Sequence, residues 1–202
     1  MRRTGSRSWA VTLLCVLAAL TGCDLLFPPA YTVGIASDAS DDSAGVPDLV
    51  SASVYVHGGQ ATVRVWFAPA TFSEQTTLAV VSLDVDQDPA TGHPGSDAGG
   101  VNDQGIIGSE YLVYMGSAYN GYEAKVFVHE GPVNSFSEVG WVPVAFHPDG
   151  LEATVPLAML GSDDGRMNFK VTCSTQVSET GYTGVLDYLT DVGQPPGVAD
   201  SP

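Results

Sequence analysis

Three aspartates stand at alternate positions in LDVDQDPATG, residues 83–92: Asp84, Asp86 and Asp88. Like charges held that close repel unless water or a cation lies between them. Alternate residues of a strand share a face, so Asp84 and Asp86 leave SLDVD pointing the same way. Asp88 follows as the chain turns at Pro89. A hard cation such as Ca²⁺ takes about six to eight oxygens from carboxylates, carbonyls and water. These aspartates supply about half of such a shell. Thr91 and the carbonyls near Gly92 can add to it, and Glu110, from the next strand, can close it. The spacing is not that of an EF-hand. Counting Asp84 as the first position, Pro89 stands sixth, where glycine is needed, and Gly95 twelfth, where a bidentate glutamate is needed. A second reading stays open, in which the aspartates are turn formers. Between Asp88 and Glu110 runs PATGHPGSDAGGVNDQGIIGS, a long stretch that holds six glycines, Asp97 and Asp103. Connections of that length are commonly functional or disordered.

Aromatic side chains offer a different chemistry, because flat rings stack on the C–H faces of sugars. Trp66 and Trp141 fall out of phase with the core positions of their strands, and Arg64 and Tyr55 lie on the same polar face as Trp66. These four are the candidate ligand contacts. His57, His93, His129 and His147 lie in or beside turns and show no ligand spacing. Neither G-x-S-x-G nor H-E-x-x-H occurs, and no acid is positioned opposite a base. An enzyme is not expected. Met115, Met167 and Cys173 share the parity of apolar neighbours and read as core.

The elements that must position these groups are strands. LVSASVYVHGGQATVRVWFA holds two alternating runs around Gly58-Gly59, a hairpin signal. A two-residue turn there places Val56 opposite Ala61, Val54 opposite Val63 and Ala52 opposite Val65, giving one apolar face. Further strands are predicted in TLAVVSLDV, EYLVYM, YEAKVFVH, VGWVPVAFH, LEATVPL and RMNFKVTC. A second hairpin with a longer turn is predicted through His147–Gly150, and PLAMLG offers one helical turn at most. The expected fold is all-β, a two-sheet antiparallel sandwich.

The N-terminus reads differently. MRRTGSRSWAVTLLCVLAALTGC opens with Arg2, Arg3 and Arg7 and runs apolar from Trp9 to Leu20. Those residues are too few to span a bilayer, which takes about 20, and the pattern is that of a cleaved secretory signal. LTGC, residues 20–23, resembles the lipobox of bacterial lipoproteins. That resemblance implies cleavage before Cys23, lipid on its thiol and a place in the bacterial cell envelope, on the periplasmic side or the cell surface. Residues 1–22 would then be signal peptide and 23–46 the lipidated cysteine with a flexible acidic tether. The domain would run over 47–192, and 193–202 would be a disordered tail. Without residues 1–22, Arg64, Lys125, Arg166 and Lys170 face 23 acidic residues, a formal charge of −19. Such a surface repels nucleic acid and anionic lipid headgroups and favours cations. Cys173 is left with no partner for an internal disulfide.

LDVDQDPATG followed by GSEYLVY, a later hairpin, then ATVPLAMLG and MNFKV resembles the DOMON-like superfamily. That group includes family-nine carbohydrate-binding modules and haem domains. The resemblance implies a jelly-roll-like sandwich and a ligand set of Asp84, Asp86, Asp88 and Glu110, although Glu110 stands where aspartate is more usual. The function expected is a lipid-anchored binding or structural module with a structural Ca²⁺, carbohydrate being the leading ligand. The alternatives are a surface module that binds other proteins and, behind it, electron transfer through haem.

Overall fold

The computed structural model describes residues 33–37, 47–94, 107–116, 123–131, 135–178, 181–182, 187–190 and 194–199. The expected signal peptide and Cys23 lie outside them, as do Asp97 and Asp103. Among the described residues twelve strands follow one another: β1 (Val33–Ser37), β2 (Leu49–His57), β3 (Gln60–Phe67), β4 (Thr77–Asp84), β5 (Tyr111–Met115), β6 (Glu123–His129), β7 (Phe136–His147), β8 (Gly150–Pro156), β9 (Met167–Ser178), β10 (Gly181–Tyr182), β11 (Asp187–Leu189) and β12 (Gly197–Ala199). A 3-10 turn, Leu157–Leu160, follows β8.

The expected all-β antiparallel fold is what the chain adopts. The hydrogen-bonded path runs β1-β2-β3-β8-β7-β6-β5-β4-β9-β10, with β11 and β12 also on β9. Strands β4 to β8 form a meander; β3 returns to β8 and β9 returns to β4. Strand β7 is long enough to serve both halves, pairing with β6 through its first part and with β8 through its last. The two ends of the path approach each other, for β1 and β2 pack beside β12 and β11. One core results, shared by Val54, Val63, Val65, Val81, Leu83, Val113, Val126, Leu151, Phe169 and Val171. Met115, Met167 and Cys173 belong to it, as their parity predicts.

Local sequence explains the first hairpin. Gly58 and Gly59 both have positive φ, 58° and 76°, the conformation a tight hairpin turn needs. The pairs Val56↔Ala61, Val54↔Val63 and Ala52↔Val65 form as read from the alternation. The second hairpin turn is shorter than expected, because His147 pairs with Gly150 and only Pro148 and Asp149 remain in the turn.

Two segments assigned to tether and tail are strands. Val33–Ser37 pairs with β2, and Gly197–Ala199 pairs with β9. Both cover backbone edges that would otherwise present unpaired N–H and C=O groups. Their glycines make the approach feasible. A Cβ on Gly34 would lie 2.6 Å from the Val198 carbonyl carbon and 2.8 Å from the Phe169 ring, and one on Gly197 would lie 2.5 Å from the same ring. The folded unit therefore reaches from 33 to 199 rather than from 47 to 192.

Candidate metal centre

Asp84 is the last residue of β4. It sits opposite Asn168 of β9, on the face turned away from the core, yet it is 0% exposed. The chain then bends through Val85 and Asp86, and Gln87 takes a positive φ of 57°. The bend brings Asp84 and Asp86 together with Glu110, just ahead of β5. One carboxylate oxygen from each lies within 4.8 Å of the other two.

Short backbone bonds hold this arrangement. Glu110 N–H donates to Leu83 O (3.0 Å), His129 N–H donates to Glu110 O (2.7 Å), and His93 and Ser109 exchange two bonds of 2.9 Å. Val85 N–H donates to Glu110 Oε2 (3.0 Å). Two glycines permit the close fit. A Cβ on Gly108 would lie 2.7 Å from Asp88 O, and one on Gly92 would lie 2.7 Å from the Ser109 carbonyl carbon.

The centre is rich in oxygen and poor in hydrogen. Thr91 Oγ1 lies 3.0 and 2.8 Å from the two Asp86 oxygens, 2.9 Å from Asp88 O and 3.1 Å from Glu110 Oε1. A hydroxyl has one proton to donate, so it cannot serve four acceptors. Asp84 Oδ2 accepts from Asn168 Nδ2 (3.1 Å), while Asp84 Oδ1 is buried with no hydrogen-bond partner. Burial pushes the Asp84 carboxyl up, against hydrogen bonding from Asn168 and from the Gly108 and Gln87 backbone, and the Asp86 charge adds to the rise. Burial also pushes Glu110 up to about 7, with Asp86 and then Asp84 adding their repulsion. A carboxyl is raised in this way when its charged form lacks a counter-charge.

Asp88 is not brought into the group. Its Oδ1 accepts from Ala90 N–H (3.0 Å), the bond of a turn former, and its own N–H donates to Asp86 Oδ1 (2.9 Å). What Asp88 offers the centre is its main-chain oxygen. Sequence reasoning missed Asn168 as the partner of Asp84, since 84 residues separate them. It also missed that His93, His129 and Phe136 pack as three rings, with centroids 5.2 to 5.6 Å apart, beside Ser109 and Glu110. Burial, then the neighbouring His93, lowers the His129 pKa.

The aromatic candidates divide into two places. Arg64 pairs with Glu152 at 2.7 Å and covers the Tyr55 ring at 5.1 Å, and Trp66 packs on His147 at 5.3 Å. Trp141 is 41% exposed on the other part of β7. Lys125 Nζ sits 4.1 Å over its ring, and its indole N–H donates to Glu138 Oε1 (2.6 Å). Six residues of β7, about 20 Å of strand, separate Trp141 from the His147 that contacts Trp66. The two tryptophans do not form one platform.

The arrangement of carboxylates and main-chain oxygens defines an all-β module with a candidate hard-cation centre at one end of its strands. No protein-family model matches the chain, and no curated protein matches it.

Proposed function

We propose that the protein is an exported module, anchored by lipid on Cys23 in the bacterial cell envelope, whose Asp84, Asp86 and Glu110 hold a divalent cation. The observation that carries the metal reading is the fully buried Asp84 with its unpartnered Oδ1, set among two further carboxylates. Leaving such an oxygen unpaired costs about 1–3 kcal/mol, and a cation removes that cost. Every candidate donor is an oxygen, so Ca²⁺ suits the set better than a metal that prefers nitrogen or sulfur. Thr91 Oγ1 is a neutral oxygen within reach of the Asp86 and Glu110 carboxylates, and Asp88 O lies 2.9 Å from that hydroxyl. The ion's role is structural: it ties the bend after β4 to the approach of β5. The anchor reading rests on LTGC after a short apolar run.

A glycan ligand has narrower support. Trp141 is an exposed ring held in place by Lys125 and Glu138, and a sugar would have to stack on it without help from Trp66. Binding to a protein partner is the alternative that no single residue favours. The test of the metal reading is thermal unfolding of the chain from residue 24, in EDTA and in about 10 mM CaCl₂. With a Kd of roughly 10⁻⁴ M, as in extracellular modules, the ion adds about 2.7 kcal/mol. That is a rise in Tm on the order of 5–10 °C. Equal Tm values in the two buffers would return all three carboxylates to turn and sheet-end roles.

A further inference from the structure

The row of residues that ends β4 and opens β5 does not stop at the carboxylates. One step beyond the Tyr111↔Val128 pair, His129 stands across from Glu110, and its own partner on β7 is Phe136. His93 joins this row from the chain that follows Asp88. It is held there by the two 2.9 Å bonds it exchanges with Ser109. Residues of an antiparallel pair that exchange both bonds lie directly opposite, with Cα atoms about 5.5 Å apart and side chains on one side. The His93 imidazole and the Ser109 hydroxyl therefore project together. His93 and His129 are far apart in the sequence, which is why no ligand spacing marks them there.

Two polar atoms of this group, His129 Nε2 and Ser109 Oγ, are buried without a hydrogen-bond partner among the described residues. Ser109 is 1% exposed and His93 8%. Buried polar atoms are seldom left unpaired, and two in one cluster point to a bound species that serves both. The donors here include nitrogen, whereas the neighbouring centre offers only oxygen. Imidazole suits Zn²⁺ and serves Ca²⁺ poorly. The rings are spaced for one ion between them. With Zn–N bonds of about 2.0–2.1 Å, two imidazoles on a tetrahedral ion have centroids about 5–6 Å apart. Those of His93 and His129 are 5.6 Å apart, with planes at 80°. A ligating histidine commonly uses its second nitrogen for another hydrogen bond, so each ring can bind through one nitrogen and be oriented through the other. Phe136 stands against both, its centroid 5.4 Å from His93 and 5.2 Å from His129. Such an apolar wall limits solvent access to an ion held there.

We propose that His93 and His129 bind a second ion, Zn²⁺, beside the carboxylate centre. Water completes its four-coordinate shell and hydrogen-bonds to Ser109 Oγ. The ion ties the segment after Asp88 to the end of β6. It uses none of Asp84, Asp86 and Glu110, so it stands or falls apart from the calcium reading.

The test is isothermal titration of the full chain with ZnCl₂ in saturating CaCl₂, which keeps Zn²⁺ from the carboxylates. One Zn²⁺ per chain is expected. Its affinity should fall on the order of tenfold or more in His93→Gln and in His129→Gln, and stay unchanged in His57→Gln and His147→Gln. Should a variant fail to fold, NMR of the ¹⁵N-labelled imidazoles in the native chain decides. Zn²⁺ should shift the ring nitrogens of His93 and His129 and leave those of His57 and His147 in place. No saturable zinc heat, or shifts confined to His57 and His147, overturns the second site and leaves the calcium reading standing. Zinc that binds equally in both histidine variants but is lost in Asp84→Asn lies at the carboxylates. That result overturns the second site and, since Ca²⁺ failed to exclude the zinc, counts against the calcium reading too.

Discussion

Asp84→Asn separates a metal ligand from a structural carboxylate, because the two roles predict opposite effects on the cation-free protein. The amide keeps the shape of the side chain and can keep an oxygen toward Asn168 Nδ2, now 3.1 Å from Asp84 Oδ2. Its other end replaces the unpartnered Oδ1 with an N–H₂ that can donate to Asp86 or Glu110. It also removes one of three negative charges whose oxygens lie within 4.8 Å. Relief of one unsatisfied buried acceptor is worth about 1 kcal/mol or more, on the order of 3 °C in Tm for a domain of this size. The variant in EDTA should therefore melt higher than the native chain in EDTA. In CaCl₂ it should gain less than about 2 °C, against the 5–10 °C expected of the native chain. Calorimetric scans of both proteins in both buffers decide the matter. A variant that melts several degrees lower in EDTA, with its response to Ca²⁺ intact, would refute the reasoning.

Glu110 gives a pH dependence of definite sign. Its carboxyl is pushed up to about 7 from an ordinary 4.5, so between those values the folded chain keeps a proton that the unfolded chain has lost. The cation-free protein should lose stability as pH rises through that window. Ca²⁺ must displace the proton, so the calcium-induced Tm shift should be larger at pH 7.5 than at pH 5, as melts at both values would show. Gly108→Ala puts a methyl 2.7 Å from Asp88 O and should cost about 1–3 kcal/mol in urea unfolding while weakening Ca²⁺ binding. A chain that begins at residue 47 lacks β1 and exposes the edge of β2. It should melt on the order of 5–10 °C below one that begins at residue 31, whereas a mere tether would make no difference.

Much of the fold was legible where one face of a strand is buried. Alternation in β2 and β3, together with Gly58-Gly59, specified both the hairpin and its register. The strand face also led from Asp84 to Asp86, and the nearness of β5 in the chain led to Glu110. What was not legible depended on contacts distant in sequence. Residues 33–37 and 197–199 are short and glycine-containing, and they become strands because β2 and β9 offer them edges. Asn168 could not be matched to Asp84 before β9 was known to lie beside β4. Asp88 follows where the chain turns, as read, but its carboxylate accepts from Ala90 N–H instead of joining Asp84 and Asp86.

The account's central claim is that Asp84, Asp86 and Glu110 share a divalent cation, and isothermal titration of the EDTA-stripped chain with CaCl₂ tests it most directly. The account predicts one ion per chain with a Kd near 10⁻⁴ M, abolished by Glu110→Gln in a protein that still folds. No saturable heat, or binding unchanged in Glu110→Gln, would contradict it.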